Sequence, residues 1–358
     1  MSVFNGPLVS VVTPVYNCAP FIGQCIESVL AQTYTNWEYT IVDNCSTDGT
    51  RAIAEKYALQ DKRVKVHANE NFLDIIANHN KAFGLISPDS KYCKDVSGDD
   101  WILPQCLERM VEIGETNPSV GIIGSYQVSG GGDRWFLRTY GLPYGVRAFS
   151  GREIGRLQLL GKLDVLGNPT SNFYRSDIVR SSDAFFPNKS AEADLSACYK
   201  HLREVDFGFV HEIVSCERVH PHQITATSKR FNANLLSKLS DLTNYGSSYL
   251  TSSELGARKR ELFDEYYRFL AISAVNFRKR SFWQYHRTRL QEIGHSLSRI
   301  RLAKEVGKKA ADLALNPKQT VERILRRITP GKACNPVGQP DVKFADHSRE
   351  CLHGRISH

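Results

Sequence analysis

The sequence predicts an α/β fold, a mostly parallel sheet with helices on both faces, followed by a helical extension. Three observations carry this. Short β-rich apolar runs alternate with helically spaced apolar residues through the first 125 residues, the pattern of a parallel sheet. Three of those runs end on polar clusters, where ligands of such sheets bind. Beyond about residue 228 the apolar period is helical throughout.

The first strand reads Leu8-Val9-Ser10-Val11-Val12-Thr13 and stops at Pro14. Ile22, Cys25, Ile26, Val29 and Leu30 share one helical face and mark a helix over 21–32. A second strand, 39–42, ends on Asp43, and Thr47-Asp48-Gly49 opens a helix through residue 57. A third strand at 63–66 precedes a helix over 75–85. The fourth strand runs into Asp99-Asp100 ahead of a helix begun by Pro104, and the fifth is 120–124. The polar ends Thr13-Pro14-Val15-Tyr16-Asn17, Asp43-Asn44-Cys45-Ser46-Thr47-Asp48 and Asp99-Asp100 should converge on one cleft. Gly130-Gly131-Gly132 reads as a flexible break. Residues 167–175 read as an edge-like strand leading into a helix capped by Ser176. Helical segments follow over 231–250, 253–278 and 282–300, and 330–358 reads as a poorly ordered tail.

Asp99-Asp100 is the most informative pair. Adjacent carboxylates each raise the cost of ionising the other unless a cation sits beside them. Hard divalent ions bind such oxygens and often bridge to substrate phosphates. Taken alone, the pair also suits a turn or a helix N-cap.

The chain has 358 residues, 41% hydrophobic and 23% charged, ordinary for a globular protein. No apolar run is long enough to span a bilayer. The N-terminus lacks the basic and apolar regions of a signal peptide. Nine cysteines, an odd number with no Cys-x-x-Cys pair, disfavour a disulfide framework or zinc site and suit the cytoplasm. Residues 300–332 hold nine Lys/Arg against three Asp/Glu, most of the net +8. Over 301–328 the basic helical segments have two readings: a solvated helix packed on its own domain, or a peripheral contact with the anionic inner face of the cell membrane. Nucleic acid is not expected, because aromatics are not interleaved with the basic residues.

These residues also carry a resemblance. Val11-Val12-Thr13-Pro14-Val15-Tyr16-Asn17, Ser28-Val29-Leu30-Ala31-Gln32-Thr33-Tyr34, Ile41-Val42-Asp43-Asn44-Cys45-Ser46-Thr47-Asp48-Gly49-Thr50 and Ser97-Gly98-Asp99-Asp100 resemble, in order and spacing, the family 2 glycosyltransferases of GT-A fold. The resemblance covers roughly residues 7–225. It implies an inverting transferase for a nucleotide-diphosphate sugar, a uridine diphosphate sugar first, with Mn²⁺ or Mg²⁺ and a glycan or lipid-linked acceptor. It implies nucleotide or substrate binding by Thr13, Pro14, Tyr16, Asn17, Asp43, Asn80 and Asp99. Asp100 becomes the principal metal ligand, with Asp99 and His220 beside it and His222 a weaker candidate. Asp194, at a helix start, becomes the catalytic base, with Glu192 its rival. The implied organisation is a catalytic domain over 1–228 (nucleotide-sugar half 7–125, acceptor half 126–228), a helical extension over 229–329, and the tail. The chain departs from the family at Asn44, Ser97, Asn71-Phe72-Leu73 and His79. Two other readings stay open: a sugar-phosphate nucleotidyltransferase, which would want a glycine-rich basic loop after the first strand, and a non-catalytic binding protein on the same fold.

Overall fold

The computed structural model describes residues 6–139, 141–187, 193–220 and 231–315. The chain forms two compact units, Met1–Phe263 and Asp264–His358. The first contains a ten-stranded sheet whose main path runs β3-β2-β1-β4-β9-β6-β10-β5. In chain order the strands are β1 (Val9–Val15), β2 (Trp37–Asp43), β3 (Val64–Ala68), β4 (Tyr92–Asp95), β5 (Trp101–Ile102), β6 (Val120–Gly131), β7 (Arg134–Arg138), β8 (Ala148–Phe149), β9 (Phe173–Arg175) and β10 (Asp206–Arg218). Strands β3, β2, β1 and β4 are mutually parallel. Beyond them β9 runs antiparallel between β4 and β6, and β10 is parallel to β6.

Helices α1 (Ile22–Leu30), α2 (Thr50–Gln60), α3 (Ile75–Gly84) and α4 (Cys106–Thr116) fall in the first half. On one sheet face, Ile22, Cys25, Ile26 and Val29 of α1 join Ala54 of α2 and Leu107, Met110 and Val111 of α4 in the main core. Each such aliphatic side chain contributes about 1.5–3 kcal/mol when fully buried, so the apolar stripe, rather than helix propensity, places α1. Successive strand residues face opposite sides. Phe173 stacks on Tyr92 in this core. Tyr174 therefore faces the other side, where it meets Phe83 of α3 and Phe185.

Helices α5 (Gly151–Leu159), α6 (Ser176–Arg180) and α7 (Ala193–His201) lie in the second half, and α8 (Asn234–Tyr249) packs on α5 and α7. Helix α9 (Ser252–Val275) begins in the first unit and runs into the second, which also holds α10 (Arg280–Glu292) and α11 (Arg299–Leu315). The compact units thus divide at Phe263, and α8 belongs with the sheet. Within the second unit the hydroxyl of Tyr266 meets His286 Nδ1 at 2.9 Å.

Three sequence expectations change. The glycines at 130–132 are no flexible break: they end β6 and turn into β7, which pairs with β6 through Gly130↔Trp135. A Cβ on Gly130 would stand 2.2 Å from the Arg134 carbonyl oxygen, so a side chain cannot fit there. The 167–175 segment is no edge strand. It is a 3-10 turn, Pro169–Ser171, followed by β9 in the sheet interior. Ser176 does not cap α6; its hydroxyl meets that of Ser90 at 3.0 Å.

Candidate functional site

Parallel pairing brings three strand ends together. Val15 is in register with Asp43, and β4 flanks β1 on its other side. Gly98 continues this approach: a Cβ there would stand 2.9 Å from the Val15 side chain. The segments after β1, β2 and β4 therefore lie in one place, as the strand order requires.

At the β1–β2 end, Asp43 is 2% exposed. Its Oδ2 accepts from the Ser46 amide at 3.1 Å, while its buried Oδ1 has no protein partner. Such an oxygen is costly to leave unmatched, and an incoming N–H would satisfy it. Tyr16 follows β1 and is exposed, its ring edge-on to Phe72 at 4.9 Å between centroids. Asn17 takes a left-handed backbone, φ 48°. Its side-chain Oδ1 accepts from the Thr47 amide at 2.8 Å, and its backbone amide donates to Ser46 Oγ at 3.0 Å. Its side chain thus ties the two loops together. Asn44 accepts at Oδ1 from the Leu73 amide and donates through Nδ2 to the Leu73 carbonyl, both at 2.9 Å.

Three residues that the resemblance assigns to the nucleotide site are engaged within the protein itself. Thr13 is fully buried, its hydroxyl donating to the Val96 carbonyl at 2.7 Å and meeting Tyr39 Oη at 2.8 Å. Pro14 beside it is buried as well. Both support the loop from below. Asn80 commits its amide to the Phe186 backbone, donating at 3.1 Å and accepting at 2.9 Å. It anchors the chain ahead of residues 188–192.

The carboxylate pair sits in the turn between β4 and β5, because β4 ends at Asp95. Asp100, expected at the end of the fourth strand, lies past it and is buried, 4% exposed. Its Oδ1 accepts from the Arg218 amide at 2.9 Å and its Oδ2 from Thr170 Oγ1 at 2.7 Å. Burial, and after it the Asp99 carboxylate, push its carboxyl well above the usual carboxylate range. Asp99 is more open, its side chain 27% exposed, with His220 Nε2 3.0 Å from Oδ2. The His220 ring lies against Phe21, 4.8 Å between centroids.

Three supporting residues escaped the sequence reading as site residues. Arg218 donates from Nε to the Asp99 carbonyl at 3.1 Å and lays its guanidinium over Phe21 and Trp101. Thr170 comes from the 3-10 turn, whose Asn168 side chain accepts from the Ser171 amide at 3.1 Å. Lys94 is fully buried, donates to the Thr170 carbonyl and, at 2.9 Å, to the Asn172 carbonyl, and burial pushes its ammonium below its ordinary value. Lys94 and Thr170 meet across 76 residues of sequence.

Asp194 occupies the first turn of α7 and is half-buried. Burial, reinforced by the Asp194 charge, raises the thiol of Cys198 one turn along. Glu192 and His222 lie outside the described residues, as do 316–328 of the basic segment and the 330–358 tail. Among the described residues no group of three or more His, Cys, Asp or Glu side chains forms a ready-made metal cluster. The Asp99 oxygen and the His220 nitrogen still make a donor pair that suits an ion accepting both, Mn²⁺ more readily than Mg²⁺.

A mostly parallel sheet in the order β3-β2-β1-β4, extended by β9, β6 and β10 and flanked by helices, is the architecture of the GT-A fold class. Residues 10–180 match the model described as Glycosyl transferase family 2. EpsE of Bacillus subtilis (strain 168), provisionally named a glycosyltransferase, is 35% identical over 122 residues, 34% of this chain and 43% of EpsE. Glycosyltransferase GlyG of Streptococcus pneumoniae serotype 4 is 33% identical over 119 residues, 33% of this chain and 39% of GlyG. The matches therefore span under half of either relative. Among solved structures, S. aureus TarS 1-349 in complex with UDP superposes with a TM-score of 0.56 at 19% identity, over 80% of this chain and 79% of that one. At that identity the likeness speaks for the fold.

Proposed function

We propose that the protein is an inverting glycosyltransferase that moves a sugar from a uridine diphosphate sugar to a hydroxyl of a glycan or lipid-linked acceptor. The observation that carries this reading is the Asp99–His220 contact at 3.0 Å, in the same strand-end region as Asp43 with its unmatched buried oxygen. Asp43 would accept from a nucleobase N–H, with Tyr16 against the base. Asp99 and His220, with Asp100 adjoining, would hold Mn²⁺ or Mg²⁺. Such an ion, when bound, neutralises charge on a departing diphosphate. Asp194 would take the acceptor hydroxyl proton as that oxygen attacks the anomeric carbon. The new carbon–oxygen bond forms opposite the breaking bond to the diphosphate, so one displacement inverts the centre.

Calorimetric titration with uridine and guanosine diphosphate sugars, with and without Mn²⁺, tests the reading. Saturable binding that Mn²⁺ strengthens is expected, and its absence for every donor would sink the proposal.

No helix among the described residues is long and apolar enough to cross a membrane. Helix α11 buries no residue, and its Lys304 and Lys308 are exposed. We assign this helix to peripheral contact with an anionic leaflet, at about 1 kcal/mol per basic residue near the surface. The full chain should float with phosphatidylglycerol vesicles at low salt, and a chain ending at Arg299 should not. Equal flotation of both would assign the helix to the fold.

A further inference from the structure

Phe72 is an oddity of this surface. It is 60% exposed, yet touches Tyr16, itself 49% exposed, edge-to-face at 4.9 Å. Two large rings held together in water leave much apolar area uncovered, which suits a ligand that brings a flat face of its own. The loop bearing Phe72 is not left to float. The Asn44 side chain grips Leu73 by both its amide and its carbonyl. Asn44 Oδ1 also accepts from Asn69 Nδ2 at 2.9 Å, and that nitrogen reaches Asn78 Oδ1 at 2.8 Å. Asn44 is 3% exposed, so it acts through the loop rather than on a ligand. An acid at this position could not donate to the Leu73 carbonyl; a carboxylate would face that oxygen without a proton between them. Asparagine at 44 and the aromatic at 72 are thus two parts of one device. Next to Asn44 in the chain, Asp43 presents its unmatched Oδ1.

We propose that Phe72 is a specificity-determining wall of the donor site, packing with Tyr16 on a nucleobase whose ring N–H reaches Asp43, and that Asn44 is the positioning residue that holds this wall. The inference rests on the donor-binding reading above. An ionised carboxylate only accepts hydrogen bonds. The site therefore takes bases with a donating ring N–H, uracil or guanine, and disfavours cytosine, whose matching nitrogen accepts.

Calorimetric titration of the full chain with UDP, GDP, CDP and inorganic pyrophosphate, each with Mn²⁺, tests this. Base–aromatic packing is worth roughly tenfold in affinity. Phe72→Ala should lose about that much for the preferred nucleotide and nothing for pyrophosphate, and Phe72→Tyr should restore it. Asn44→Asp should cause a similar loss confined to nucleotides, and Phe72→Ala/Asn44→Asp together should lose no more than Phe72→Ala alone. If wild type binds UDP or GDP and Phe72→Ala binds it equally well, the wall is refuted while donor binding stands. If the preferred nucleotide is CDP, the pairing with Asp43 is refuted. If wild type binds pyrophosphate but no nucleotide, both the wall and the donor-binding reading fall.

Discussion

Asp194→Asn is expected to lower sugar transfer by roughly 10²-fold or more while leaving donor affinity close to wild type. The scale is that of a positioned general base. Asparagine keeps the shape of the side chain but removes its negative charge and its capacity to take a proton. The residue sits in the first turn of α7, where the positive end of the helix favours an ionised carboxylate. The helix is fixed by buried Ala197, Cys198 and Tyr199, so the change should not unseat it. Single-turnover transfer measured beside calorimetric donor binding separates the two effects. If Glu192→Gln abolishes transfer and Asp194→Asn does not, the base is the other carboxylate.

Asp99→Ala is expected to abolish the Mn²⁺-dependent part of donor binding, and turnover with it, at little cost in stability. Asp100→Ala should also stop turnover, but with a fall in thermal stability. The difference follows from their surroundings. Asp99 is the partly open group facing His220. Asp100 is buried and accepts from the Arg218 amide and the Thr170 hydroxyl. Removing it strands the buried Thr170 hydroxyl, at about 1–3 kcal/mol if left unsatisfied, and frees the part-buried Arg218 amide. Thermal unfolding of both variants, alongside Mn²⁺ and UDP titrations, checks the pair. Unchanged Mn²⁺ dependence in Asp99→Ala would refute the ligand assignment, and equal melting of the two variants would contradict the buried anchoring of Asp100.

Much of the first unit was legible because its signals are local. Helix α1 announces itself through five apolar residues at helical spacing, and four of them, all but Leu30, are buried in the core. Strands β1 and β2 read as apolar runs, and nearly every residue of both is buried. Alternating strands and helices imply parallel pairing, and parallel pairing puts strand ends side by side, so the neighbourhood of Asp43 and Asp99 followed from order alone. The second half misled for an equally physical reason. The three residues of β9 are too short to show a period, and their place between β4 and β6 depends on partners far away in the chain. Glycines at 130 and 131 look permissive in sequence, but in the sheet they are demanded by the close approach of Arg134, Trp135 and Val219.

What the sequence determined by itself is the fold class and which acids follow the strands and open a helix, because periodicity and motif spacing are properties of neighbouring residues. What only the tertiary structure decided is which of those groups are buried and already hydrogen-bonded within the protein. Thr13, Asn80 and Asp100 look like ligand-binding residues in the motif, yet each commits its polar atoms to distant partners: Thr13 to Val96, Asn80 to Phe186, Asp100 to Thr170 and Arg218. Asp99, one residue from Asp100, is the open one because the turn after β4 points it toward His220, 121 residues away in the chain. Burial and hydrogen-bond partnership are set by the packing of remote segments, and no local pattern encodes them.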